Sequence, residues 1–174
     1  KDANGWASKG HEINFEQFIL GSKLPFKEFV NSKSAINLKE IGDELNISAG
    51  KINYKINKND GTLSVIDNSG IIIEGPELNV WRAPISNEWV DWGKAEASDW
   101  YSTGLNRLIL DSTDFSFTNE NNSVSVSTKQ FYRLPENEDY IFNQFNYTIY
   151  NDGVIQINQK IDFIGYFDYE WLPR

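Results

Sequence analysis

The sequence predicts an all-β fold, an antiparallel β-sandwich. Apolar and polar residues alternate along several runs, Gly-containing turns separate those runs, and one stretch stands apart from the alternation. A period of two places every second side chain on one face, the pattern of a strand with one face buried and one in water.

Taken in order, His11 to Leu20 reads as a strand through Ile13, Phe15 and Phe18, and Gly21 to Phe26, with Pro25 inside it, reads as a linker. Lys27 to Ser34 adds little periodicity before the next strand begins near Ala35. From Lys51 to Asn57, Ile52, Tyr54 and Ile56 share one face, and Lys51, Asn53, Lys55 and Asn57 the other. Val124, Val126 and Thr128 repeat the pattern, as do Phe145, Tyr147 and Ile149, then Ile155, Ile157 and Ile161. Asn59-Asp60-Gly61 and Asn151-Asp152-Gly153 lie between such runs, and Asp-Gly suits a type I′ hairpin turn, whose two central residues both take positive φ. Asn68-Ser69-Gly70 is a turn of similar kind.

Trp89 to Tyr101 is the exception. It lacks alternation and carries Ala95, Glu96 and Ala97, which are good helix formers. Trp89, Trp92, Glu96 and Trp100 fall at spacings that place them on one helical face, so a short irregular helix across a sheet edge is expected.

Composition narrows the functional classes. A chain of 174 residues is one domain of ordinary size. It has no cysteine, which excludes disulfides, thiolate metal sites and a cysteine nucleophile, and leaves the compartment open between cytoplasm and periplasm. It has no methionine, so Lys1 is read as the start of a processed product or excised fragment. A net charge of −9 argues against a nucleic-acid partner, whose phosphates need a basic footprint. No apolar run reaches the roughly 18 residues of a membrane span, and the first residues lack the apolar core of a signal peptide. Aromatic residues make up 14%, with six Trp, which serves either a dense core or a sugar-facing surface.

Several short motifs, in order along the chain, carry a family resemblance. They are Gly5-Trp6-Ala7-Ser8-Lys9-Gly10-His11-Glu12 with Glu16-Gln17-Phe18, then Asn59 to Leu63 with Ile71 to Pro76, then Gly75 to Glu88 around Trp81-Arg82-Ala83-Pro84. Trp100 to Leu105 and Leu172-Pro173-Arg174 complete the set. Together they resemble the C-terminal region of the β-galactosidases of glycoside hydrolase family 2. The resemblance implies that residues 1–24 are the terminal strand and linker of a preceding immunoglobulin-like domain. Residues 25–174 are then the N-terminal part of a C-terminal β-sandwich of galactose-mutarotase-like supersandwich type.

The resemblance also implies a function. The parent enzyme hydrolyses terminal β-galactosides with retention, using two glutamates of a (β/α)₈ barrel upstream of Lys1, so no catalytic residue is expected here. This region is expected to support the barrel, to shape its sugar cleft, and to be silent in isolation. The Mg and Na ions of the family are expected outside it, leaving no metal or cofactor in this chain. Its partners are the rest of the parent chain and, through that enzyme, a β-galactoside or related carbohydrate. The family's sandwich continues beyond Leu-Pro-Arg, so open strand edges are expected to drive self-association.

Arg82, Asn87 and Glu88 are the candidates for the substrate side of the cleft, because the family loop after this signature lies near the active-site mouth. Where the family has Asp-Asn-Asp, this chain has Ser86-Asn87-Glu88. The structural alternative is that Arg82 pairs with an internal acid and Pro84 starts the turn. Trp81, Trp89, Trp92 and Trp100 are candidates for stacking on sugar rings, though core is the favoured reading for Trp in a β-sandwich. His11 reads as a hydrogen-bonded structural residue, and the scattered acids as solvated surface. Two rival readings are a stand-alone carbohydrate-binding sandwich and a small subunit of a two-chain β-galactosidase.

Overall fold

The computed structural model describes residues 35–67, 70–89, 95–136, 138–165, 167 and 172–173. The expected strand at His11 to Leu20 and the linker after it lie outside these residues, as do His11 and Trp92.

The described residues form two antiparallel meanders. The first runs β1 (Asn37–Ile41), β2 (Glu44–Ala49), β3 (Ile52–Asn57), β4 (Leu63–Asp67) and β5 (Gly70–Glu74), each strand pairing with the next. The second runs β6 (Ile109–Asn119), β7 (Ser123–Arg133), β8 (Tyr140–Tyr150) and β9 (Ile155–Ile164) in the same manner. A connector between the sheets carries a 3-10 turn at Ser86–Glu88, helix α1 (Glu96–Thr103) and a second 3-10 turn at Leu105–Arg107.

The alternating faces meet as a sandwich core. Leu45, Ile47, Ala49, Tyr54, Ile56 and Leu63 of the first sheet form one buried cluster with Val124, Val126, Phe145, Tyr147 and Ile149 of the second. The phenol of Tyr54 crosses between the sheets and donates to Gly153 O at 2.6 Å. A second cluster, of Ala97, Trp100, Leu105, Leu134 and Ile141, seats α1 against β8 and the end of β7.

Between these clusters runs a polar seam. The Gln130 amide donates to Asp60 O, Asn143 Nδ2 donates to Gln130 Oε1 at 2.6 Å, and Gln159 Nε2 donates to Asn143 Oδ1 at 2.9 Å. Buried amides are tolerated where each finds partners, and this chain of bonds supplies them across β7, β8 and β9.

Both Asp-Gly turns differ from the type I′ expectation. Among the described residues only glycines have positive φ, so Asp60 and Asp152 do not take the left-handed conformation that type I′ requires of both central residues. Each loop also exceeds two residues: Gly61 N–H bonds Asn57 O at 2.8 Å, and Tyr150 N–H bonds Val154 O at 2.8 Å. Glycine alone takes the left-handed backbone, at φ 75° in Gly61 and 82° in Gly153. This frees each aspartate to cap the chain two residues on: Asp60 Oδ1 accepts from Thr62 N–H at 2.9 Å, and Asp152 Oδ1 from Val154 N–H at 3.0 Å. The turn at Asn68-Ser69-Gly70 falls mainly outside the described residues.

The sandwich is covered unequally at its two sides. On the β1–β6 side, Ile36, Leu38, Phe115 and Phe117 pack against the core. On the β5–β9 side an open groove of about 490 Å³ is lined by Val65, Ile73, Pro76, Phe145, Ile157 and Gln159, among others. Ile73 lies opposite Val65, and Ile157 opposite Tyr147, so both belong to the core-facing set of their sheets. They nevertheless stand 56% and 42% exposed.

Candidate functional site

The candidate residues sit on the connector rather than on the sheets. After β5 the chain passes through Gly75-Pro76 and runs without regular structure to the 3-10 turn at Ser86–Glu88. That turn folds Glu88 back onto Arg82. Arg82 Nη1 donates to one carboxylate oxygen at 2.9 Å and Nη2 to the other at 2.5 Å. The same carboxylate accepts the backbone N–H of Ile85 at 2.7 Å, which closes the turn. A planar guanidinium matches a carboxylate in this forked geometry, and both partners being ionised strengthens each bond.

The electrostatics follow from those contacts. Hydrogen bonding to Arg82 holds the Glu88 carboxyl below the usual carboxylate range, opposed by desolvation and aided by the Ile85 N–H. The bond to Glu88 pushes Arg82 further up. The ion pair is therefore fully charged at neutral pH.

Aromatic residues adjoin this pair. The Arg82 guanidinium carbon lies 5.8 Å from the centre of the Trp100 ring, within the range at which a cation is attracted to an aromatic face. Trp81 meets Tyr101 edge-on at 4.9 Å, and Trp89 stacks on Tyr101 at 5.3 Å. Helix α1 supplies both Trp100 and Tyr101. Glu96 and Asp99 in its first turn suit the positive end of the helix dipole. It stops at Gly104, whose left-handed φ of 80° turns the chain into the second 3-10 turn. A Cβ on Gly104 would stand 2.7 Å from Pro135 Cγ, so only glycine lets α1 approach the β7–β8 loop this closely.

The named candidates thus divide. Arg82 and Glu88 are brought together, and Asn87 is an exposed residue of the same 3-10 turn. Trp100 is buried in the second cluster at 1% exposure, and Trp81 is partly buried against that cluster. Trp89 is 52% exposed. The expected shared helical face of Trp89 and Trp100 does not form, because α1 begins only at Glu96 and Trp89 follows the 3-10 turn. The two rings meet the same corner through Tyr101 and Arg82 instead. Tyr101 was the residue sequence reasoning passed over. Its signal was adjacency to Trp100 in a helix-forming segment, which places neighbouring rings on different sides of the helix axis.

Among the described residues no group of three or more His, Cys, Asp or Glu side chains converges as a metal-binding set. No helix among them is long and apolar enough to cross a membrane.

Residues 48–174 match the family model described as the β-galactosidase small chain. The β-galactosidase of Actinobacillus pleuropneumoniae is 27% identical over 168 residues, covering 94% of this chain and 16% of that protein. The β-galactosidase of Psychromonas ingrahamii is 27% identical over 174 residues, and that of Clostridium acetobutylicum 24% identical over 159. They cover 90% and 89% of this chain, but only 16% and 17% of the relatives' own lengths. The chain spans about one sixth of the curated relatives it matches, and over its greater part it belongs to the β-galactosidase small chain family.

Proposed function

We propose that this chain is the non-catalytic part of a β-galactosidase that buttresses the catalytic unit and forms one wall of its sugar cleft. The observation that supports the reading is the corner at Arg82, Glu88 and Trp89. A forked ion pair fixes the turn from Ile85 to Glu88, and Trp89, stacked on Tyr101, offers an exposed ring beside it. Fixed aromatic rings suit the apolar C–H faces of pyranoses, and the exposed amide of Asn87 on the same turn is of the kind that bonds sugar hydroxyls. Arg82 and Glu88 then act by positioning this corner.

Hydrolysis itself is assigned to two carboxylates outside this chain, working by the retaining mechanism, and the isolated chain is silent. The test is twofold. The purified chain is mixed with a chromogenic β-galactoside, and the parent enzyme is assayed with Trp89→Ala. The expected results are no turnover by the chain and a KM raised roughly tenfold in the parent, about 1.4 kcal/mol of lost binding. Turnover by the isolated chain, or unchanged kinetics in the variant, overturns the reading.

The exposure of Trp89 also favours a second reading, a stand-alone carbohydrate-binding sandwich. It requires saturable quenching of Trp fluorescence by galactose or a longer glycan in the isolated chain.

A further inference from the structure

We propose that Tyr101 is a positioning residue of the sugar cleft, fixing the ring of Trp89 in one plane by stacking on it, a role that rests on the cleft reading above.

Two rings meet Tyr101 from the two ends of one loop. Trp81, just before Arg82, meets it at 4.9 Å between ring centres, with planes 72° apart. Trp89, just after Glu88, meets it at 5.3 Å, with planes 24° apart. Both distances fall in the range of roughly 4.5–7 Å at which aromatic pairs attract. The loop is therefore closed twice. Arg82 and Glu88 join its ends directly by the forked ion pair, and one residue further out on each side Trp81 and Trp89 are joined through Tyr101. The two closures do different things. The ion pair and the Ile85 N–H fix the backbone of the turn. A tryptophan on a fixed backbone still chooses among side-chain rotamers, and the stack on Tyr101 selects one for Trp89.

Tyr101 is itself firmly held. Ala97 and Trp100, three residues apart on α1, put one face of the helix into the second core cluster. Successive helical residues project about 100° apart, so burial of Trp100 sends Tyr101 round to the flank of α1. Gly104 N–H bonds Tyr101 O at 3.1 Å, which ends the helix just beyond this residue. Trp81 packs partly buried against the same cluster. From the core outward the rings run Trp81, Tyr101, Trp89, the last two 38% and 52% exposed. The stack takes one face of the Trp89 indole and leaves the other for the C–H face of a pyranose, so Tyr101 acts on the sugar through Trp89. Both contacts are made ring to ring, so phenylalanine reproduces them at position 101 and leucine does not.

The test has a spectroscopic arm and a kinetic arm. The 174-residue chain is labelled with 5-fluorotryptophan, and the Trp89 resonance among the six is identified by its loss in Trp89→Phe. Tyr101→Leu should move that resonance toward its position in the urea-unfolded chain, and Tyr101→Phe should leave it in place. In the parent enzyme Tyr101→Leu should raise KM about fivefold with kcat unchanged, and Tyr101→Phe should restore the parental value. Adding Tyr101→Leu to Trp89→Ala should raise KM no further, because both changes remove the same contact with the sugar. A Trp89 resonance unmoved by Tyr101→Leu overturns the proposal, whatever the kinetics of Trp89→Ala. A resonance that moves while neither substitution changes KM upholds Tyr101 as the holder of the ring and overturns the cleft reading. If leucine unfolds the chain, Tyr101→Phe decides: parental values uphold the proposal, and a shifted resonance or raised KM assigns the effect to the hydroxyl and overturns it.

Discussion

The guanidinium of Arg82 grips both carboxylate oxygens of Glu88, at 2.9 and 2.5 Å, from an irregular stretch to the end of the 3-10 turn at Ser86–Glu88. The pair closes the turn through Glu88, and the next residue, Trp89, stacks on Tyr101.

This clasp sets an acid limit on the corner. The Glu88 pKa is lowered in the folded chain, chiefly by its bond to Arg82. A depressed carboxyl contributes stability that is present above its unfolded pKa, about 4.3, and lost as pH falls through the folded value. Arg82 stays charged throughout. Trp fluorescence should hold steady from neutral pH to about pH 5, then change below about pH 4 as the turn opens. Glu88→Gln should show the opened spectrum already at neutral pH. A spectrum identical to the parent's would mean the ion pair does not hold the turn.

An alkaline limit follows from the core. Burial, with a smaller contribution from Asp152, pushes Tyr54 up to about 12, and burial also raises Tyr132 and Tyr147. The unfolded chain ionises these phenols near pH 10 and so binds fewer protons than the folded chain above that pH. Stability should be fully present below about pH 10 and fall as pH rises through about 12. Urea midpoints measured across this range check the sign. Tyr54→Phe should flatten the fall, while also losing the bond to Gly153 O, at a cost of about 1 kcal/mol at neutral pH.

Gly104→Ala should destabilise the second core. A left-handed non-glycine residue costs roughly 1–2 kcal/mol, and the new methyl would press on Pro135. The melting temperature should drop by about 5 °C or more, given roughly 2–4 °C per kcal/mol for a chain of this size. Gly42→Ala is the control. Its φ of 57° carries the same backbone strain, but nothing lies within 4 Å of the added Cβ, so its loss should be smaller.

Asn143→Ala should cost about 2 kcal/mol, because it leaves a buried acceptor of Gln130 and a donor of Gln159 without their bonds. Gln159→Ala, at the exposed end of the same seam, should stay within about 0.5 kcal/mol of the parent. Equal losses in the two variants would show that the seam is not a buried network. Urea denaturation measures both.

Much of the fold was legible in the sequence because alternation is a local property. The runs at Ile52 to Ile56, Val124 to Thr128 and Phe145 to Ile149 became β3, β7 and β8, with the expected faces buried. The turn positions were legible for the same reason, though the turn type was not. A dipeptide permits a left-handed aspartate, but the surrounding loop decides whether glycine alone carries that conformation.

What tertiary structure alone decided was which patterned faces are covered and which distant groups meet. Ile155, Ile157 and Ile161 alternate as regularly as Phe145, Tyr147 and Ile149, yet one set is largely open and the other buried. Periodicity states which way a side chain points; whether another sheet lies over it depends on strand order and on the reach of the opposing layer. The same holds at the connector. Arg82 and Glu88 are six residues apart with no regular period between them, and Trp89, twelve residues before Tyr101, stacks on it only through the fold. Charge and ring were written in the chain, but their meeting required the fold to bring them within a few ångströms.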